Sequence, residues 1–212
     1  MTEEEIYEDI KQNGELVMRT LNLSRAASIA QHTEKEVYFL EKASKIALQV
    51  LAKYPDTEAA FVVYVSGGTP MLQYYLREGE VEQALHYCMQ MVLKMRLLTR
   101  RLYSERSCTI FTQMVCTLIN VFLEAAKKYS LFDRYPNETA KMTRLLYEVL
   151  YILQDNLKKV NPASMLFTLT SSLMTSFEQF GASHDAAMSL DCLNGLVNQV
   201  ADGIEAFIFE DD

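Results

Sequence analysis

Thr33-Glu34-Lys35-Glu36-Val37-Tyr38-Phe39-Leu40-Glu41-Lys42-Ala43-Ser44-Lys45-Ile46-Ala47-Leu48-Gln49-Val50-Leu51-Ala52-Lys53, closed by Tyr54-Pro55-Asp56, is the stretch that decides the fold class. Val37, Leu40, Ser44, Ala47 and Leu51 form one row at helical spacing, and Phe39, Ala43, Ile46 and Val50 form a second row beside it. Glu41, Lys45, Gln49 and Lys53 make the polar row, with Glu41 and Lys45 in the favourable i,i+4 orientation. Thr33 and Glu36 have the spacing of a capping box, in which the Thr33 hydroxyl accepts from the Glu36 N–H and the Glu36 carboxylate reaches back. Two adjacent apolar rows require a helix with more than one neighbour. Tyr54 precedes a proline and resists the α region, so the helix stops there.

Outward from this segment the same signals repeat. Asp56 is expected to cap a helix from Thr57 to about Val65, and Ser66-Gly67-Gly68-Thr69-Pro70 is expected to break it, with Pro70 restarting the chain at a first helical position. Met71 to Arg77 leads into the turn Glu78-Gly79-Glu80, and Val81 to about Thr99 forms the next helix. Ser104 is placed to cap a run from Glu105 to Tyr129, and Asn137 a helix reaching about Lys159. Asn161-Pro162 begins another helix, which Gly181 closes. Ser183 opens a last one running to about Phe209 through Gly195 and Gly203, and Glu3 to about Gln31 supplies one or two more at the start. No stretch alternates with period two for long enough to be a strand. The expected class is all-α, with antiparallel helical hairpins arranged as a compact bundle or as a stack of pairs. No Ser/Gly/Pro linker divides the chain, so residues 1–212 are expected to form a single all-helical domain.

Composition agrees with that class. Of 212 residues 50% are hydrophobic and 23% charged, with only 7 Gly and 4 Pro, which excludes a disordered or collagenous chain and disfavours a many-stranded sandwich. The net charge of −8 argues against nucleic acid as a partner. Cys88, Cys108, Cys116 and Cys192 form no C-x-x-C and lie in apolar helical surroundings, the setting of buried free thiols in a reducing compartment. Met1-Thr2-Glu3-Glu4-Glu5 is acidic where a signal peptide is basic. The most apolar window, Cys108 to Leu123, is interrupted by Gln113 and Asn120 and is shorter than the about 20 residues of a spanning helix. A cytoplasmic protein without a membrane partner is expected.

Tyr74-Tyr75-Leu76-Arg77-Glu78-Gly79-Glu80-Val81-Glu82-Gln83-Ala84-Leu85-His86-Tyr87 resembles the middle of a tetratricopeptide repeat. Tyr75, Gly79 and Ala84 fall on that family's Tyr, turn Gly and small Ala, and Leu40 to Pro55 resembles the second helix of a preceding repeat. The resemblance implies antiparallel hairpins stacked as a right-handed superhelix, with a tight helix crossing at Ala84. Cys88 and Met91 depart from the family's preferences, no Pro follows Arg96, and the repeat does not continue past Thr99.

Motifs for chemistry are sparse. His32, His86 and His184 are far apart, and neither H-E-x-x-H nor Glu-x-x-His occurs, so no metal site, cofactor or catalytic group is expected. Ser66-Gly67-Gly68-Thr69-Pro70 lacks the Lys of a P-loop and reads as a helix breaker. Tyr147 and Tyr151, one turn apart beside Met142, Leu146, Leu150 and Leu153, suit either core packing or an aromatic-lined groove. The strongest local anomaly is basic: Lys94, Arg96, Arg100, Arg101 and Arg106, offset only by Glu105, give a local net of +4 in a −8 chain. Arginine offers paired donors to a carboxylate or phosphate, so these five are the candidate partner-binding residues. Two functions remain open. One is a non-enzymatic protein–protein interaction, scaffold or adaptor module that binds a peptide or protein segment, acidic where the basic segment is used, on a helical groove. The other is a compact helical bundle that binds a small ligand or catalyses a reaction in its core.

Overall fold

The computed structural model of the chain describes residues 2–99 and 104–182. Every regular element among them is a helix, and they belong to two compact units, residues 1–80 and 81–212. The all-α class is therefore correct. The expected last helix from Ser183, with His184, Cys192, Gly195 and Gly203, lies outside the described residues, as do Arg100 and Arg101.

The first unit is an antiparallel trio: α1 (Glu3–Ile29), α2 (Thr33–Lys53) and α3 (Glu58–Glu78), each packed against the other two. A capping box does begin a helix here, but at Thr2 and not at Thr33. The Thr2 hydroxyl accepts from the Glu5 N–H at 3.2 Å, and Glu5 Oε2 accepts from the Thr2 N–H at 2.8 Å. The box expected at Thr33 does not form: α2 starts after His32, without a side-chain cap. Its physical reason is the register of Glu36, which shares the buried row of Leu40, Ala43, Ala47 and Val50 and so turns inward. At the far end of the unit Ile10, Val50, Tyr54 and Ala60 make a shared apolar cluster from all three helices.

α3 runs unbroken through Ser66-Gly67-Gly68-Thr69-Pro70, which corrects the expectation of a break. Gly67 and Gly68 are buried, and Gly67 lies where three helices meet. A methyl there would stand 2.6 Å from Ala47 Cβ, 3.2 Å from Val17 Cγ1 and 3.3 Å from the Ala43 carbonyl oxygen. A helical Gly costs about 1 kcal/mol relative to Ala, and the close approach it permits offsets that. Pro70 withholds one N–H from the Ser66 carbonyl, but Ser66 is exposed, so water can donate instead. Asp56 is not the cap of this helix either; the cap position is Thr57, which makes no side-chain cap bond. The expected turn at Glu78-Gly79-Glu80 is present. Gly79 takes φ 79°, its N–H donates to Leu76 at 3.3 Å, and the Glu80 N–H donates to Tyr75 at 2.9 Å, the paired bonds of a Schellman end.

The second unit contains α4 (Val81–Thr99), α5 (Glu105–Tyr129), the single turn α6 (Leu131–Arg134), α7 (Pro136–Val160) and α8 (Met165–Ala182). α7 is central and packs against the other four, through fully buried Met142, Leu146, Val149, Leu150, Leu153 and Leu157. Asn156 Nδ2 donates to the Thr99 carbonyl at 2.6 Å, satisfying an orphan acceptor at the end of α4. Ser104 caps α5 as expected, its hydroxyl accepting from the Ser107 N–H at 3.1 Å. Two other starts are displaced. Tyr135 and not Asn137 precedes α7, with Pro136 at the first helical position, and α8 begins at Met165 rather than at Asn161-Pro162, with the Ser164 hydroxyl accepting from the Phe167 N–H at 3.1 Å. Within α5, Arg106–Tyr129 is by length and composition long and apolar enough to cross a bilayer, and it extends the window Cys108–Leu123 at both ends. Most of that stretch is buried inside the unit, as the central helix of a soluble core would also be.

Candidate functional site

Helical spacing brings three short rows together at one end of the first unit. Leu21, Ser24, Arg25 and Ser28 share a face of α1; Pro70, Gln73, Tyr74 and Arg77 share a face of α3; Glu36 and Leu40 come from the start of α2. They line an open cleft of about 250 Å³. Pro70 and the two leucines are its apolar residues, and the other residues that line it have polar or charged groups on largely apolar stems and rings.

Its electrostatics centre on Arg77. Arg77 Nη1 donates to Glu36 Oε1 at 2.8 Å and Nε donates to Glu78 Oε1 at 2.9 Å. The guanidinium also lies over the Tyr74 ring, 5.0 Å from its centroid. The hydrogen bond to Glu36 holds the Arg77 pKa above its already high ordinary value. Burial, seconded by the Glu78 charge, raises the Tyr74 phenol, which stays protonated and able to donate. Arg25 differs: it is exposed and makes no hydrogen bond or ion pair among the described residues. With Arg25 and Arg77 against Glu36 and the Arg77-bound Glu78, the charges at the cleft sum to zero.

No sequence motif singles out this cleft, and the Thr33–Glu36 spacing points Glu36 to a cap. One signal was available. Glu36 is the charged member of an otherwise apolar core-facing row, and such a residue needs an opposite charge from elsewhere in the fold.

The basic segment is placed differently. Lys94 is half-buried on α4 and engaged, while Arg96 Nη2 lies 2.9 Å from Glu148 Oε2 on α7. Glu148 also accepts from Arg144 Nε at 3.2 Å. Arg106 is exposed in the first turn of α5, where the helix dipole disfavours a cation. Of Tyr147 and Tyr151, the first is half-buried and the second 57% exposed, flanking a core row of Met142, Leu146, Leu150 and Leu153. His32 and His86 are exposed, and no three His, Cys, Asp or Glu side chains among the described residues are grouped to hold a metal ion. Comparisons with protein-family models, with curated proteins and with solved structures find no match to this chain.

Proposed function

We propose that the chain is a non-enzymatic interaction module whose first unit docks a peptide or protein segment in the cleft between α1, α2 and α3. The observation that supports it is the contrast between its two cations: Arg77 is held by Glu36 and Glu78, and Arg25 is left open beside it. The volume supports a segment over a whole small molecule, since about 250 Å³ is below the about 300–1,000 Å³ of typical small-molecule sites and suits one or two side chains. A scaffold or adaptor role in the cytoplasm, and the hairpin stacking implied by the tetratricopeptide resemblance, belong to the same proposal. Lys94, Arg96, Arg100, Arg101 and Arg106 are its second contact surface.

The test places a photo-crosslinking residue at exposed Gln73 in the full chain and identifies adducts by mass spectrometry. A defined partner segment captured at Gln73, and lost when Arg25→Glu is added without a change in melting, is the expected result. Adducts no more frequent than from a control at exposed Glu8 would count against the cleft. Changing Arg96, Arg100 and Arg101 to Gln together separates the two surfaces. The second reading, a small ligand in a helical core, is favoured by one observation: Arg96 Nε is buried without a hydrogen bond, although Arg96 Nη2 is ion-paired with Glu148 Oε2. Native mass spectrometry that recovers a bound small molecule would move the proposal there.

A further inference from the structure

Independently of the cleft, we infer that the outer seam between α1 and α2 is a second docking surface of the first unit, and that its occupant is an amphipathic helix with an acidic rim. One ion pair fixes which side chains flank this seam: Asp9 Oδ2 on α1 lies 2.8 Å from Lys53 Nζ on α2. Two turns along each antiparallel helix from that pair stand Leu16 and Ile46, and two turns further Leu23 and Phe39. Leu16, Leu23 and Tyr38 are exposed, and Phe39 and Ile46 are half-buried. The Tyr38 and Phe39 rings meet edge-on, with centroids 5.3 Å apart. Between the two rows the small side chains Thr20 and Ala43 are buried. The seam is thus a shallow apolar groove whose rims repeat every seven residues, the spacing of one face of a docked helix.

Charge selects the occupant. Lys35 and Lys42 share the row of Tyr38, one step outside Phe39 and Ile46. Both are exposed and make no ion pair among the described residues, and no acid stands three or four positions from either. On α1 no carboxylate follows Glu15, which is held by Arg19 at 3.4 Å. The acids of α2 face elsewhere. Glu36 accepts from Arg77. Burial, and then the Glu41 charge, raise the Tyr75 phenol of α3, which puts Glu41 on the far side of α2 with Glu34 seven positions before it. Whichever way they face, residues 9–53 hold seven Lys and Arg against five Asp and Glu, a net +2 in a −8 chain. Glu3, Glu4, Glu5 and Glu8 lie beyond Asp9, at the end of the seam away from Lys35. A second copy would bring the same basic row to an isologous contact. An anionic bilayer would meet a chain whose total charge is −8. An acidic-rimmed helix meets neither repulsion.

The experiment mixes the full ¹⁵N-labelled chain with three probes. They are a blocked helical peptide with leucine on one face and glutamate on its rim, the same peptide with lysine on the rim, and vesicles of equal phosphatidylserine and phosphatidylcholine. Anisotropy of the labelled peptides gives affinity, and amide shifts give the place. The glutamate peptide is expected to bind about tenfold tighter than the lysine peptide and to shift residues 16–23 and 38–46. Lys35→Gln with Lys42→Gln is expected to remove that margin, and Leu23→Ser to weaken both peptides about tenfold. Higher salt should narrow the margin. If Leu23→Ser lowers the melting temperature, Tyr38→Ser at its exposed position replaces it. Equal affinities, no binding by either peptide, or shifts centred on Arg25 and Gln73 overturn the assignment. So do vesicles that bind the chain more tightly than the glutamate peptide does, and a dimer in sedimentation that Leu23→Ser dissolves. The Gln73 crosslink reads the cleft alone, so the two surfaces stand or fall separately.

Discussion

Glu36 and Arg77 are 41 positions apart in the chain and 2.8 Å apart in the fold. Their pair joins the start of α2 to the end of α3. At the other end of α2, Lys53 Nζ lies 2.8 Å from Asp9 Oδ2 on α1, and the Tyr54 hydroxyl donates to the same oxygen at 2.6 Å. One helix is thereby fastened at each end to a different neighbour. Sliding α2 by a turn would separate both pairs, and sliding α1 or α3 would separate one, so the pairs specify register as well as adding stability.

The Glu36–Arg77 pair is asymmetric, with side chains 9% and 49% exposed respectively. Arg77→Ala leaves a nearly buried carboxylate without its partner, whereas Glu36→Gln leaves an arginine that can turn to water. Arg77→Ala is expected to cost about 1–3 kcal/mol and Glu36→Gln less. Urea midpoints of the two variants check the order, and equal losses would refute it.

The Asp9 pair gives a pH dependence whose sign is determined. Hydrogen bonds from Lys53 and then Tyr54 hold the Asp9 carboxyl below its ordinary range, so its contribution is complete above about pH 4 and is lost as pH falls through the lowered value. The bond to Asp9 raises Lys53 to about 12, so that side's contribution is complete below about pH 10.5 and is lost as pH rises toward 12. The stability difference between the parent and Asp9→Asn should be flat from pH 5 to 10 and shrink on acidification below about pH 4. A difference that grows on acidification would contradict the pairing.

Gly67→Ala should destabilise, against the intrinsic preference of a helix for Ala. The added methyl would stand 2.6 Å from Ala47 Cβ, an atom with no rotamer in which to retreat. We expect a loss of about 1–3 kcal/mol, partly recovered by Ala47→Gly in the same chain. A Gly67→Ala variant that melts above the parent would show that α1, α2 and α3 can separate freely here.

Thiol chemistry tests the second unit. Cys88, Cys108 and Cys116 are buried and form no disulfide, and burial pushes Cys88 and Cys116 up to about 12. At pH 8 these groups are protonated and shielded, so an aromatic disulfide reagent should label them only as fast as the unit opens, and at once in denaturant. Rapid native labelling at Cys88 or Cys116, located by peptide mapping, is the outcome that would sink this assignment.

Much of the fold was legible before any tertiary contact was known. The span Val81–Thr99, the Ser104 cap and the Gly79 turn all follow from interactions within four or five residues of chain, which depend on local geometry alone. The cleft was not legible in this way. Arg25, Glu36 and Tyr74 are ordinary residues of amphipathic helices until α1, α2 and α3 bring them together.

By itself, then, the sequence determined that the described chain is helical and where most of its helices begin, because capping and 3.6-residue periodicity are short-range effects. Tertiary structure decided the fate of Ser66-Gly67-Gly68-Thr69-Pro70 and of the Glu36 carboxylate. A Gly-Gly-Thr-Pro segment can break a helix or continue it at a difference of a few kcal/mol, and a Glu three residues after Thr can cap or turn inward for less. Val17, Ala43 and Ala47 tipped the first choice by leaving room for a glycine and nothing larger, and Arg77 tipped the second by waiting 2.8 Å away on another helix.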